Sequence, residues 1–124
     1  MDVIHTAVAV SDIEETLAFY TDGLDLEYAH EFELGGVRNV YVAGDDGMEI
    51  QFKYDPDRTE PVEPAGIDHL AVEVESVPEA FDDLVAATDC PVVEEPMLIE
   101  PADARAAFVE DPDGYVVELV EYLD

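Results

Sequence analysis

The hydrophobic positions switch between two periods along the chain, and they do so twice. An apolar run from Val3 to Val10, carrying one His, reads as a strand. Apolar residues then recur every three or four positions near 12–21, the mark of an amphipathic helix. Three strand-like stretches follow near 24–33, 37–43 and 47–54. The order repeats from Ile67: an apolar run, a helix near 77–87, and strands near 91–98, 104–110 and 114–122. Gly35-Gly36, Gly44-Asp45-Asp46-Gly47 and Asp111-Pro112-Asp113-Gly114 supply the turns. Two capping boxes, Ser11 with Glu14 and Ser76 with Glu79, predict the helix starts. Pro78 falls in a first helical turn, where its missing N–H costs little.

The chain therefore reads as β-α-β-β-β twice, with copies at 3–54 and 67–122. The stretch 55–66 (DPDRTEPVEPAG), rich in proline and charge, reads as a linker. The expected class is α+β: two βαβββ repeats forming a curved mixed sheet, helices outside, in one domain spanning 1–124. Neither copy is long enough to cover both faces of a curved four-stranded sheet. Packing both helices outside leaves a concave inner face, so a ligand cleft is expected between the repeats.

Charge narrows the function. There are 33 Asp and Glu against four basic residues, Arg38, Lys53, Arg58 and Arg105, for a net charge of −29. Nucleic acid and anionic membranes are poor partners for such a surface. With 48% apolar residues in regular patterns, the chain can collapse rather than stay disordered. An acidic surface adapted to high salt, where self-repulsion is screened, fits both facts. No stretch approaches the roughly 20 apolar residues of a membrane span. The start Met-Asp-Val-Ile-His lacks the basic region of a signal peptide. The lone Cys90 cannot form an internal disulfide, which fits a cytoplasmic location.

Candidate chemistry lies at matching places in the repeats. His5 and His69 each sit in a first strand, and Glu49 and Glu118 each in a last strand. Alternation along 47–53 puts Glu49, Gln51 and Lys53 on the face opposite Met48, Ile50 and Phe52. Glu118 lies among Val116, Val117, Leu119 and Val120, where a carboxylate needs a cation or donors. Taken singly, a strand His is usually a satisfied core residue and a strand Glu usually faces water. Only three His exist, and two of them match across the repeat. Two imidazoles and two carboxylates suit a divalent first-row metal, with positions left open for catalysis. The remaining His30 has no counterpart in the second copy and reads as a surface residue.

These residues carry a resemblance. The start IHTAVAVSDIEETLAFYTDGLDL and the ending AFVEDPDGYVVELVE resemble the vicinal oxygen chelate superfamily, and within it glyoxalase I. The resemblance implies the glyoxalase/bleomycin resistance/dioxygenase fold and a metal held by His5, Glu49, His69 and Glu118. Nickel or cobalt is the implied metal, with manganese, zinc or iron as the alternatives. It further implies a homodimer whose sites take His5 and Glu49 from one chain and His69 and Glu118 from the other. The implied substrate is a 2-oxoaldehyde–thiol hemithioacetal, isomerised to a 2-hydroxyacyl thioester. Glu118 would be the main base and Glu49 its partner, with neutral imidazoles as ligands.

The thiol-binding positions depart from the family. The family's first-strand Arg, which grips a glutathione carboxylate, is Ala9 here, and IEPADAR replaces its basic, glycine-rich loop. Lys53, Arg38 and Arg105 are the alternative anion grips, against surface ion pairing as the plain reading. Two other functions compete. One keeps the metal but changes the reaction, as in extradiol dioxygenases, with two His and one Glu around iron, and in epimerases. The other is a non-catalytic small-molecule binder with an apolar, aromatic cleft.

Overall fold

The computed structural model describes residues 1–123 and contains two compact units that divide between Val62 and Glu63. In the first unit β1 (His5–Val10) leads into α1 (Ile13–Leu17), and β2 (Glu27–Leu34), β3 (Val37–Ala43) and β4 (Glu49–Tyr54) follow. The second unit runs β5 (Leu70–Glu73), α2 (Val77–Thr88), β6 (Val92–Ile99), β7 (Ala104–Glu110) and β8 (Val116–Tyr122). Each unit holds one four-stranded mixed sheet, in the order β1-β4-β3-β2 or β5-β8-β7-β6. The first and last strands of each unit pair in parallel, and the other pairs are antiparallel. The order of elements along the chain is the one the hydrophobic pattern predicts. No helix among the described residues is long and apolar enough to cross a membrane.

The large apolar side chains gather on one face of each sheet. In the first unit Val8, Val10, Val40, Val42 and Phe52 are buried together with Phe19 and Tyr20 from the segment after β1. The Tyr20 and Phe52 rings lie 4.9 Å apart. In the second unit Val117, Leu119, Ala107 and Val109 are buried, as are Val77, Phe81 and Leu84 of α2.

The first helix differs from its expected form. Its cap is Asp12, whose Oδ1 accepts from the Glu15 N–H at 3.0 Å, rather than Ser11 paired with Glu14. The α-helix ends at Leu17 and continues as a π-helical turn, Ala18–Gly23, closed by the Leu24 N–H donating to the Phe19 carbonyl. That wider turn buries Phe19 and Tyr20 side by side. The second helix starts as expected, with Ser76 Oγ accepting from the Glu79 N–H. Strands β2, β4, β6 and β8 begin one to three residues later than the sequence pattern indicates. The residues before β4 and β8 belong to turns in which Gly47 and Gly114 take φ of +84° and +88°, backbone that favours glycine.

Candidate metal centre

Strand pairing fixes which residues match between the units. In the first, Ala7 pairs with Gln51 and His5 with Glu49. In the second, Ala71 pairs with Glu118, and His69 lies two residues before Ala71. The position equivalent to Glu118 is therefore Gln51, not Glu49. This corrects the expected Glu49–Glu118 equivalence, while leaving Glu49 on the same face as Gln51. The turn glycines carry the signal: Gly47 precedes Gln51 by the same interval that Gly114 precedes Glu118.

The second unit brings its two predicted residues into contact. His69 Nε2 lies 3.1 Å from Glu118 Oε1, and His69 Nδ1 lies 2.7 Å from Asp68 Oδ2. Glu118 sits on the face of β8 opposite the buried Val117 and Leu119. The Phe108 ring, directly across the ladder from Glu118, meets the His69 ring edge-on at 5.7 Å. The His69 and Glu118 side chains are 34% and 20% accessible, sheltered yet open to a small ligand.

The first unit adds a residue that the sequence pattern does not reveal. His30 Nε2 lies 3.2 Å from Glu49 Oε2, and its ring stacks on Tyr41 with centroids 4.2 Å apart. The His5 ring meets the same Tyr41 edge-on at 5.5 Å. Read with a simple alternation, His30 shares a face with Tyr28. A register shift between them places Tyr28 opposite Val42 and His30 opposite Tyr41, turning the imidazole toward Glu49. Gln51 is buried, its Nε2 donating to Asn39 Oδ1 at 2.8 Å, and Asn39 Nδ2 donates in turn to the Val37 carbonyl. This chain fixes the Gln51 amide by its nitrogen. Among the described residues, no group of three or more His, Cys, Asp or Glu is gathered as a metal site.

Two of the three expected anion grips are elsewhere. Arg105 pairs in register with Glu121, on the face of β8 opposite Glu118, and its Nη1 lies 3.4 Å from Glu121 Oε1. Glu121 also accepts from the Val77 N–H at the start of α2, at 2.9 Å. Arg38 alternates with Asn39 and so shares the face of the buried Val40 and Val42. It grips Glu31 through Nε and Nη2, both at 3.1 Å. The Arg38 guanidinium and then the Tyr28 hydroxyl hold the Glu31 carboxyl below the ordinary carboxylate range. Both arginines are therefore ion-paired scaffold residues, as the plain reading of surface pairing anticipates. Lys53 alone is on the Glu49–Gln51 face, exposed, opposite Ala9.

A duplicated βαβββ unit, with an imidazole at the start of the first strand or just before it and a carboxylate on the last, defines a class of α+β proteins built from paired repeats. The chain belongs to the Glyoxalase/Bleomycin resistance protein/Dioxygenase superfamily, whose family model matches residues 3–119. It is 30% identical to lactoylglutathione lyase of Neisseria meningitidis serogroup A, over 98% of this chain and 91% of that protein. Lactoylglutathione lyase of Haemophilus influenzae is 28% identical, over 98% of this chain and 93% of that one. The solved trypanothione-dependent glyoxalase I of Leishmania major superposes with a TM-score of 0.81 at 26% identity, covering 98% and 86%. A glyoxalase I variant from Zea mays gives a TM-score of 0.86 at 20% identity, a likeness of fold. The chain spans 45% of that maize protein.

Proposed function

We propose that this protein is a metal-dependent glyoxalase I-type lyase, isomerising a 2-oxoaldehyde–thiol hemithioacetal to a 2-hydroxyacyl thioester. The observation that carries the reading is the His69–Glu118 contact of 3.1 Å on the open sheet face. Neighbouring donors around a six-coordinate ion with bonds of about 2.1 Å lie about 3 Å apart, so this pair fits one edge of such a shell. The imidazole, carboxylate and amide donors suit a divalent first-row ion, and the family resemblance puts nickel or cobalt ahead of manganese, zinc and iron. His5 belongs to the same centre. The fourth donor is an oxygen of β4: Glu49, which supplies charge, or Gln51, which holds the place matching Glu118. Following the family resemblance, the two half-sites come from the two chains of a homodimer. The acidic surface and lone Cys90 suit a cytoplasmic protein working in high salt.

A bound metal ion supplies Lewis acidity, stabilising negative charge on the substrate oxygens. The chain supplies the proton transfer. Glu118 takes the C1 proton of the hemithioacetal and returns it at C2, so the reaction is an isomerisation with no net change in atoms. With the proton on Nδ1, His69 donates to Asp68 Oδ2, and Nε2 is the nitrogen that would hold the ion.

The test is metal analysis of protein purified in molar salt, followed by isomerisation assays with nickel, cobalt, manganese and zinc. Glu118→Gln should lower turnover by about 10²–10⁴-fold, the usual contribution of a general base, with a modest loss of metal. Normal turnover in that variant removes Glu118 as the base. Glu49→Ala and Gln51→Ala, compared for metal retention, identify the fourth donor. One observation favours a second reading. If Gln51 fills that place, the charged and imidazole donors reduce to His5, His69 and Glu118, the set of two His and one carboxylate used by non-haem iron oxygenases. Oxygen uptake with ferrous iron and a catechol, in place of isomerisation, selects it.

A further inference from the structure

We infer that Lys53 is the residue that binds the anionic end of the thiol cosubstrate. The inference rests on the glyoxalase reading above and gives it a specificity residue.

The first sheet presents three successive rungs between β1 and β4 on the face away from Phe52, with buried Gln51 in the middle and exposed Lys53 at the end. His5 pairs with Glu49, Ala7 with Gln51 and Ala9 with Lys53. Donor atoms thus stand at one end and an ammonium at the other. The span from Glu49 to Lys53 is about 13 Å along the strand, and from Gln51 to Lys53 about 7 Å. The residues of β1 on this face beyond His5 are alanines, and Ala7 is exposed. No side chain of β1 beyond His5 therefore reaches out over the track.

The four cations of the chain decide the rest. Arg38 is held in a two-point grip with Glu31 on the core-side face. Arg105 faces Glu121 on the core-side face of the second sheet. Arg58 lies outside the strands and donates through Nε to the Glu60 carbonyl. Lys53 is exposed and has no ion pair among the described residues. In molar salt the repulsion from the −29 charge is screened beyond a few ångströms, so direct contact with the Lys53 ammonium, which has no ion pair among the described residues, sets where the negative end of the cosubstrate rests. Ala9, its partner across the ladder, is too small to compete for the same space.

The experiment compares Lys53→Gln and Lys53→Glu with the wild-type holoenzyme, using methylglyoxal hemithioacetals of glutathione and of neutral 2-mercaptoethanol. Lys53→Gln should raise KM for the glutathione adduct relative to the neutral adduct about tenfold, the scale of one charge-assisted contact. Lys53→Glu should raise that ratio further. A ratio unchanged in both variants overturns the inference. Calorimetric binding of S-methylglutathione to the metal-loaded protein separates this result from the reaction itself. If no adduct is isomerised, the glyoxalase reading fails, and binding decides the role of Lys53 alone. A tenfold weaker Kd in Lys53→Gln sustains it. An equal Kd, or no binding to wild type at millimolar ligand, ends it.

Discussion

Removing Glu121 should weaken the fold while sparing the chemistry three residues away. Its carboxylate accepts from the Val77 N–H at 2.9 Å, where the first turn of α2 leaves donors without partners. Its side chain is 18% accessible, and Val77 is fully buried. A hydrogen bond to a charged group contributes roughly 1.5–3 kcal/mol, including the favourable charge at a helix N-terminus. The Arg105 contacts, at 3.4 and 3.5 Å to a partly exposed guanidinium, add little. Glu121→Ala should therefore cost about 2 kcal/mol, and Arg105→Ala less than about 0.5 kcal/mol. Urea unfolding is the assay, run in molar salt, where a Debye length of about 3 Å removes the benefit of deleting one of many acids. At a typical m-value the midpoint should fall by about 1 M. Metal content per folded molecule should stay constant, because Glu121 and Glu118 lie on opposite faces of β8. A Glu121→Ala midpoint equal to that of wild type would refute the capping argument. Loss of metal without loss of stability would refute the assignment of faces.

Other outcomes follow from charge and pairing. Lowering salt from molar to about 0.01 M lengthens the Debye length to about 30 Å, so the thermal midpoint should drop steeply. A midpoint independent of salt would contradict the halophilic reading of the −29 charge. The Arg38–Glu31 pair gives a pH dependence of known sign. Glu31 is held below its ordinary value, so its stabilisation is present above the unfolded carboxylate range and fades as pH falls through the depressed folded value. The difference in stability between wild type and Arg38→Ala should be under about 1 kcal/mol near neutral pH and vanish in strong acid.

Much of this architecture is legible in the sequence because alternation and turn glycines act locally. The repeat, the order of elements along the chain and the two faces of β4 follow from which residues alternate. What escapes is anything decided between strands. Arg38 and Arg105 attract attention as scarce cations, but only the ladder shows that each meets an acid on the core-side face. Glu49 looks like the counterpart of Glu118 because both are carboxylates in a last strand. Pairing with β1 and β5 shows Gln51 in that place, and counting from Gly47 and Gly114 finds the same answer. His30 is hidden by a register shift in an edge strand, a device with no short sequence signature here. The π-helical turn escapes for a similar reason, since Phe19 and Tyr20 fit a helical spacing whichever hydrogen bond closes the turn.

The rungs between β1 and β4 have an evolutionary corollary. Because Glu49, Gln51 and Lys53 project in file from one strand, a point substitution can relocate a polar or charged atom by one step, about 7 Å, without insertion or loop remodelling. Such a backbone behaves like a pegboard, on which new chemistries are sampled by moving pegs while the board itself stays intact.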